Sequence, residues 1–418
     1  MTENLLQYIW QHQYFNKSAL RTDKGEALNI INKGSLNKNQ GPDFLNAKIE
    51  IDSTILIGSI ELHLKTSDWF KHQHSNDANY KNVILHVVFQ NDLEVSDLAV
   101  LELQPRVSSV LLNKYNSLMN QKSFIACSNS LSSVKKLTWM AWKERLLIER
   151  LIRKSALVFS FLDQNNVHWE ETFWWLLARN FGIAINADAF EAIAKSIPIN
   201  ILAKHKNQIH QLEALLLGQA NLLNENFKED YPKFLQVEYN FLKIKYQLKP
   251  VHSPVFFLRI RPSNFPTIRL AQLAMLVHGS QQFFSKIIEA ESLDEITECL
   301  AVTANDYWNY HYHFDEISSY QPKRLGVAMM DNIIINTIIP ILFAYGHYQK
   351  NENLKTKALH WLEQTKAESN TIITNYKKLG VESASAFDTQ ALLELNKQYC
   401  TQKLCLQCSI GAAILKTS

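Results

Sequence analysis

A pattern of alternating apolar and polar residues between positions 47 and 65 constrains the fold of this chain more than any other feature. Alternation with a period of two is typical of β-strands, and a tight turn at Ser53-Thr54 divides the pattern into a predicted hairpin. Successive side chains of a strand point to opposite faces of its sheet. The second strand therefore places Glu61, His63 and Lys65 on one face, and the aliphatic residues between them on the core face.

The register of this hairpin decides whether Asp43, which follows a Gly-Pro pair, can join the polar face. A two-residue hairpin loop sets Glu61 opposite Asn46 and leaves Asp43 one residue out of phase. Because a one-residue slip reverses the facing of every side chain in a strand, a site that uses Asp43 requires a bulge. We predict this bulge at Gly58, which would bring Lys65 opposite Asp43.

Length and periodicity predict two domains. The chain has 418 residues, of which 46% are hydrophobic and 20% charged, as in soluble globular proteins. Residues 1–120 are predicted to form an α/β domain with a mixed sheet and flanking helices. A polar Ser- and Asn-rich segment follows, and from Trp139 onward apolar residues recur at helical spacing. Residues 121–418 are therefore predicted to form a larger all-α domain.

Charge and hydropathy narrow the expected partners. The net charge of +3 neither favours nor excludes nucleic acid. We find no apolar run that approaches the ~20 residues of a membrane span, so no membrane partner is expected. The N-terminus lacks the basic region and the small-residue cleavage site of a signal peptide, which predicts a cytoplasmic location.

Asp43 and Glu61 are well suited to bind a hard cation. Carboxylate oxygens are ligands for Mg²⁺ and Mn²⁺, and a nearby basic side chain can orient the attacking water or neutralise a phosphate. His63 or Lys65 could supply the basic group, and Asn46 would lie nearby. These residues predict a metal-dependent nuclease that hydrolyses phosphodiester bonds in DNA or RNA.

A second set of polar residues follows the hairpin and is expected to contact the substrate or a second metal ion: His72, His74, Asp77 and Tyr80. Imidazole also suits Zn²⁺, Fe²⁺ and Mn²⁺. A transition-metal hydrolase with a His/carboxylate site is therefore an alternative prediction from the same segment. His86 lies within the apolar run VILHVVF and is predicted to be a hydrogen-bonded core histidine.

The element order of residues 1–120 resembles that of the PD-(D/E)XK nuclease superfamily. Pro42-Asp43 stands at its PD position and Glu61-Leu62-His63 at its (D/E)-x-K position, with histidine where that superfamily usually has lysine. The resemblance implies a restriction-endonuclease-like fold, a divalent ion on the two acids and nuclease activity, with Lys65 standing in for the lysine. The histidine also supports a second hypothesis, a non-catalytic nucleic-acid or protein-binding module on the same scaffold.

A longer string, from GPDFLNAKI through GSIELHLKTSDW to VILHVV, resembles a bacterial family of unknown function, the domain of unknown function 2851. The similarity extends over nearly the whole chain and implies the same arrangement of residues, but no reaction. A simpler interpretation of the segment remains open. In it, Asp43 only caps a turn, and Glu61, His63 and Lys65 form the solvated face of an ordinary sheet.

Three of the five cysteines crowd the C-terminus. The C-x₂-C spacing of Cys405 and Cys408 lets two thiolates bind one ion, with Cys400 as a third ligand and Cys127 as a fourth. This set is predicted to hold Zn²⁺ or an iron–sulfur cluster, and it resembles the iron–sulfur clasp of some PD-(D/E)XK nucleases, although the spacing differs. The alternative is three unligated thiols in a C-terminal helix. Cys299 is predicted to lie in the core.

Two segments of the helical domain carry candidate nucleic-acid contacts. Arg259, Arg261 and Arg269 cluster in one segment, and arginine forks match phosphate geometry. The aromatic string YWNYHYHF, with His311 and His313, could stack bases. For both segments we favour packing and helix capping over a binding function.

Overall fold

The computed structural model describes residues 1–74, 77–94, 98–280 and 282–416. An N-terminal mixed sheet with helices is followed by a mostly helical region, as the sequence predicts. The chain divides into two compact units, the first comprising Met1–Trp142 and the segment from Asn396 onward, and the second Lys143–Leu395. The boundary thus lies after residue 142 instead of residue 120, and the C-terminal segment belongs to the first unit instead of the helical one.

The first unit is built on a six-stranded mixed sheet. Its strands are β1 (Leu28–Asn32), β2 (Ser35–Leu36), β3 (Phe44–Ile51), β4 (Thr54–Lys65), β5 (Val83–Gln90) and β6 (Val100–Glu102). The strand order is β1-β3-β4-β5-β6, and β2 also pairs with β3. The pairs β1–β3 and β3–β4 are antiparallel, whereas β4–β5 and β5–β6 are parallel. A parallel pair needs a crossover connection, and the one between β4 and β5 carries most of the predicted histidines.

Helices form much of the remaining chain, and α4 begins in the first unit and continues into the second. In chain order the helices are α1 (Glu3–His12), α2 (Asp68–Lys71), α3 (Ser109–Asn120), α4 (Lys136–Gln164), α5 (Trp169–Phe181), α6 (Ile183–Ser196), α7 (Ile199–His205), α8 (Ile209–Gln219), α9 (Asp230–Tyr246), α10 (Pro266–Gly279), α11 (Phe283–Glu289), α12 (Leu293–Leu300), α13 (Val327–Ile333), α14 (Ile339–Tyr348), α15 (Glu352–Gln364), α16 (Thr371–Lys378), α17 (Ala386–Glu394) and α18 (Ser409–Lys416). The apolar side of α1 is buried and α1 packs against β4. The Thr2 side chain caps its N-terminus.

The loop of the β3–β4 hairpin lies one residue earlier than predicted. Ile51 pairs with Thr54, so the two loop residues are Asp52 and Ser53. Asp52 has a left-handed φ of 51°. A short polar side chain tolerates this conformation better than most, which explains why Asp52 takes the first position of the loop.

The hairpin contains the bulge that a role for Asp43 requires, but at Asn46 in β3 instead of at Gly58 in β4. Asn46 has a φ of 58°, and the pairing of β3 with β4 shifts by one residue there. This shift brings Asp43 beside Glu61, whose carboxylate accepts a hydrogen bond of 3.0 Å from the Asp43 backbone N–H. Gly58 has another role, since a Cβ there would lie 2.4 Å from the Asn82 carbonyl oxygen.

The polar face of β4 is covered by protein. Glu61 is 6% exposed and His63 is 2% exposed. Helix α2 packs against β4, and the indole of its Trp69 is buried. The interpretation of this face as solvated surface is therefore wrong for Glu61 and His63, because the crossover segment covers them. Lys65 is exposed at the end of the strand.

The second unit is mostly helical and includes the antiparallel pair β7 (His311–His313) and β8 (Glu316–Ile317). By length and composition alone, one helical stretch among the described residues, Val327–Tyr348, could cross a membrane. It has 22 residues, and 72% of its most apolar window is buried inside the protein, as in the core helix of a globular unit. We did not expect an apolar stretch of this length, because Asp331 and Asn336 interrupt the apolar residues.

Candidate metal centre

Three imidazoles and one carboxylate converge near the C-terminal end of β4. The Nε2 atom of His63 lies 3.1 Å from Nδ1 of His72. The Oε1 atom of Glu61 lies 3.5 Å from Nε2 of His63 and 3.5 Å from Nε2 of His74. One nitrogen from each of the three histidines lies within 4.8 Å of the other two. The structure thus brings together four of the predicted site residues.

The strand β4 and the turn after α2 position these side chains. Glu61 and His63 are two positions apart in β4, so both point to the same face. His72 is the C-cap of α2, and Gln73 then takes a left-handed φ of 59°. Two residues spaced like His72 and His74 would diverge on a helix. The reversal at Gln73 explains why both reach the same point.

Neighbouring aromatic rings hold the imidazoles in place. The Nδ1 atom of His63 lies 2.9 Å from Nε2 of His86, which is fully buried in β5. Tyr80 stacks on His74 with ring centroids 3.8 Å apart, and the indole of Trp69 lies against the rings of both His74 and His86. The prediction of a hydrogen-bonded core histidine is confirmed for His86. Its contact with Nδ1 of His63 leaves Nε2 of His63 for the cluster.

Burial favours the neutral form of these imidazoles. Desolvation, reinforced by the neighbouring imidazoles, lowers the pKa of His63 to about 3. Desolvation and the imidazole of His72 also lower the pKa of His74. Desolvation and the carboxylate of Asp43 raise the pKa of Glu61 to about 8. Since a metal ion binds the neutral form of imidazole, His63 and His74 are ready to act as ligands at neutral pH.

Asp43 stands beside this group, but hydrogen bonds from protein donors occupy both of its carboxylate oxygens. Its Oδ1 accepts a hydrogen bond of 2.8 Å from the side-chain amide of Gln7, and its Oδ2 accepts one of 3.1 Å from the backbone N–H of Leu62. Desolvation raises the pKa of Asp43 to about 6. The Asp43 side chain therefore ties the start of β3 to α1 and β4. Sequence reasoning missed Gln7, because nothing in the chain near it indicates a partner 36 positions away.

The structure also places the other predicted site residues of this region, Lys65, Asn46 and Asp77. Lys65 is exposed at the end of β4, and Asn46 is exposed at the bulge of β3. The carboxylate of Asp77 accepts hydrogen bonds of 2.9 Å from both the backbone and the side-chain amide of Asn79. Asp77 thereby caps the 3₁₀ turn Ala78–Tyr80. Through this turn it helps to position the tyrosine that stacks on the centre.

The four cysteines predicted as metal ligands all belong to the first unit. Cys127, Cys405 and Cys408 are buried, and Cys400 is half-buried. Desolvation, together with the neighbouring thiols of Cys400, Cys408 and Cys405, raises the pKa of Cys127. The Cys127 thiol thus interacts with three thiols from the other end of the sequence. Cys299 is half-buried in the second unit.

The candidate nucleic-acid segments of the helical region make internal contacts. Arg269 is buried and donates a hydrogen bond of 2.8 Å to Gln272. The Nε2 atom of His311 lies 3.0 Å from the carboxylate of Glu229. These contacts agree with the packing role that we predicted for these segments. The other two arginines of the first segment are exposed.

A family model described as "Protein of unknown function (DUF2851)" matches residues 3–371 of the chain. The matched range contains the histidine cluster, Glu61 and Cys127, and it ends before the three C-terminal cysteines. No curated protein and no solved structure matches the chain. Because the match covers most of the sequence, the protein belongs to this family of unknown function.

Proposed function

We propose that the protein is a metal-dependent hydrolase that binds a transition-metal ion, Zn²⁺ or Mn²⁺, through His63, His72 and His74. The proposal rests on the convergence of three imidazole nitrogens from two segments of the chain. The 3.1 Å between His63 and His72 is close to the ~3.3 Å that separates donors bound tetrahedrally at about 2.0–2.1 Å from zinc. The Nε2 atom of His74 is buried without a hydrogen-bond partner among the described residues. A metal ion would provide that partner.

The donor set favours a transition metal over Mg²⁺. Imidazole nitrogen suits zinc, iron and manganese, whereas Mg²⁺ prefers oxygen ligands in octahedral geometry. Of the two carboxylates that were predicted to hold Mg²⁺, Glu61 lies beside His63 and His74, whereas the Asp43 carboxylate binds the side-chain amide of Gln7 and the backbone N–H of Leu62. We therefore assign the ion to the three histidines instead of to the pair of Asp43 and Glu61.

The surroundings of the three histidines suit the activation of water. Three protein ligands would leave a position for water, as in catalytic zinc sites, and a bound ion would supply the Lewis acidity that activates that water. The exposed His72 puts the cluster within reach of solvent. Glu61, at 3.5 Å from both His63 and His74, is placed to accept the proton of that water as a general base. His86 orients the ring of His63 through its second nitrogen.

We infer that the substrate is a phosphodiester, as in DNA or RNA, from two further features. The order α1, β1, β3, β4, α2, β5 agrees with the order on which the resemblance to PD-(D/E)XK nucleases rests, and it supports a restriction-endonuclease-like fold. Lys65 is exposed on the strand that carries Glu61 and His63, and its positive charge suits a phosphate group.

The test combines metal analysis of the full-length protein with hydrolysis assays on bis(p-nitrophenyl) phosphate, DNA and RNA. We expect the double variant His72→Ala/His74→Ala to lose the zinc or manganese of this centre. We expect Glu61→Gln to keep the ion while hydrolysis falls by about 10²–10⁴-fold, the usual contribution of a general base. His360→Ala is the matched control, because its imidazole is 61% exposed and belongs to the second unit.

Two outcomes would reject parts of the proposal separately. The histidine double variant is also made in protein that lacks Cys405 and Cys408. If that protein still retains the ion, the histidine centre is rejected. Metal binding without hydrolysis of any phosphodiester would leave the centre in place and reject the assigned reaction. Thermal unfolding of each variant shows whether a loss of metal reflects a loss of fold.

A further inference from the structure

The C-terminal segment returns to the first unit and brings three cysteines to a fourth. Cys127 immediately precedes the 3₁₀ turn Ser128–Ser133, and α18 packs against both this turn and α3. The ammonium group of Lys403 donates hydrogen bonds to the carbonyl oxygens of Met119 at 2.5 Å and of Gln121 at 3.5 Å. These contacts hold the loop that carries the cysteines close to Cys127.

The chain between Cys405 and Cys408 is tightly folded. The backbone N–H of Cys408 donates a hydrogen bond of 3.4 Å to the carbonyl oxygen of Cys405. A Cβ at Gly411 would lie 2.2 Å from the same oxygen, so glycine is required for this close approach. The two thiols also interact, since desolvation and the neighbouring Cys408 raise the pKa of Cys405 to about 11. The C-x₂-C pair therefore has the compact loop that a shared metal requires.

Cys408 immediately precedes α18, and Cys127 immediately precedes the 3₁₀ turn against which α18 packs. The fold therefore brings these two cysteines to the same region of the first unit.

From these contacts we infer that Cys127, Cys400, Cys405 and Cys408 form a tetrathiolate site that binds Zn²⁺ or an iron–sulfur cluster. Both take four thiolates, and C-x₂-C pairs supply two of them in many such sites. Four thiolates leave no position for a substrate, so the site is structural. It fastens the C-terminal segment to the N-terminal part of the chain. The inference does not depend on the histidine centre or on the proposed hydrolysis.

Four cysteines without a metal would behave differently from the metal-bound site in measurable ways. Without a metal, the site would consist of three buried thiols and the half-buried thiol of Cys400. Such thiols would absorb no visible light, retain no metal and respond to no chelator. A bound cation instead provides the positive charge that buried thiolates require.

Anaerobic purification of the full chain, followed by absorption spectroscopy and metal analysis, tests the inference. An iron–sulfur cluster gives a brown protein, whereas zinc gives a colourless protein that contains the metal. We expect Cys405→Ser/Cys408→Ser to lose this metal completely. We expect Cys400→Ser to weaken its retention against a chelator by at least about tenfold, the effect of losing even an outer partner of a metal site. Cys299→Ser is the control and should retain the metal, because Cys299 belongs to the second unit.

Two further measurements distinguish the centres and do not require the cysteine variants to fold. The variant His72→Ala/His74→Ala should retain the cysteine-bound metal. In the native wild-type protein, a chelator should sharply increase the reaction of the thiols with a thiol reagent. Two results together would overturn the inference. The protein would hold no such metal, even after anaerobic incubation with Zn²⁺ or with iron and sulfide. A chelator would also leave the reactivity of its five cysteines unchanged.

Discussion

At the scale of single residues, burial controls the chemistry of the ionisable side chains. Glu61 and His63 share one face of β4, yet desolvation raises the pKa of the carboxyl group and lowers that of the imidazole. Both shifts have the same cause, because a low dielectric disfavours whichever form is charged. In the metal-free protein both side chains are therefore mostly neutral near pH 7. A divalent ion would favour the ionised carboxylate and would bind the imidazole as it is.

Glu213 shows the same effect in the second unit. It is fully buried in α8, where its carboxylate accepts hydrogen bonds from the Tyr231 hydroxyl at 2.5 Å and from the Trp308 indole N–H at 3.2 Å. Desolvation raises its pKa from 4.5 to about 7. Between these two values the native state holds a proton that the unfolded state has released. The free energy of unfolding should therefore fall as the pH rises through this window.

We predict that Glu213→Gln removes this pH dependence, because glutamine does not ionise. Between pH 5 and pH 7.5 the wild-type protein should lose about 2–3 kcal/mol of stability relative to the variant. Urea unfolding of both proteins at the two pH values measures the difference. Glu363→Gln is the control, since its carboxylate is 58% exposed. An equal difference between wild type and Glu213→Gln at both pH values would contradict the prediction.

The sequence identifies the residues of the histidine centre better than it identifies their surroundings. The period of two in β4 places Glu61 and His63 on the same face. The short spacing of His72 and His74 identifies the segment that supplies the other two imidazoles. The bond from Gln7 to Asp43 was not predictable, because a glutamine in an amphipathic helix carries no signal of a distant partner. The burial of the polar face was also missed, since it depends on how the crossover segment folds back over the sheet.

At the scale of elements, the bulge in β3 aligns the two acids. It depends on Asn46, whose φ of 58° lies in the left-handed region. That conformation costs roughly 1–2 kcal/mol for most residues, whereas asparagine tolerates it and glycine adopts it freely. The register shift at this residue puts the backbone of Asp43 beside Glu61.

We predict that Asn46→Val destabilises the protein by about 1–2 kcal/mol, because a β-branched residue is strained at positive φ. Asn46→Gly should be close to neutral or slightly stabilising. If valine removes the bulge, Asp43 and Glu61 lose their alignment, and hydrolysis should also fall because Glu61 is the proposed general base. Thermal unfolding and hydrolysis assays of the two variants test this, with Leu45→Val as a control at the neighbouring exposed position. Equal stabilities of the valine and glycine variants would exclude a role for the backbone conformation at residue 46.

Periodicity predicts the strands and helices well but does not determine the register of the hairpin. The alternating pattern located β3 and β4, but the predicted bulge at Gly58 was wrong. Glycine is required there by the approach of Asn82, a contact between segments that a strand pattern does not reveal. The actual bulge at Asn46 has a weak signal, because asparagine is common in many loop and strand-end positions.

At the scale of the whole molecule, the end of the chain belongs to the same unit as its beginning. Local composition suggested a boundary after residue 120, where the sequence becomes polar. Composition cannot show that the segment from Asn396 onward returns to the first unit, because that return is a contact between distant parts of the chain. The cysteines were the signal available, since Cys127 and the C-terminal triplet together suggest one metal site.

Ile414 tests whether the C-terminal segment is an integral part of the first unit. It is 4% exposed in α18, which packs against α3. Truncation of a buried isoleucine to alanine costs about 2–5 kcal/mol, and truncation to valine about 0.5–1.5 kcal/mol. If α18 contributes to the core of this unit, Ile414→Ala should speed hydrogen exchange in β3, β4 and β5 at the other end of the sequence, and Ile414→Val should do so only slightly. Mass spectrometry of the exchanged peptides resolves these regions. Faster exchange confined to α18 would mean that the segment is an appendage whose loss the first unit tolerates.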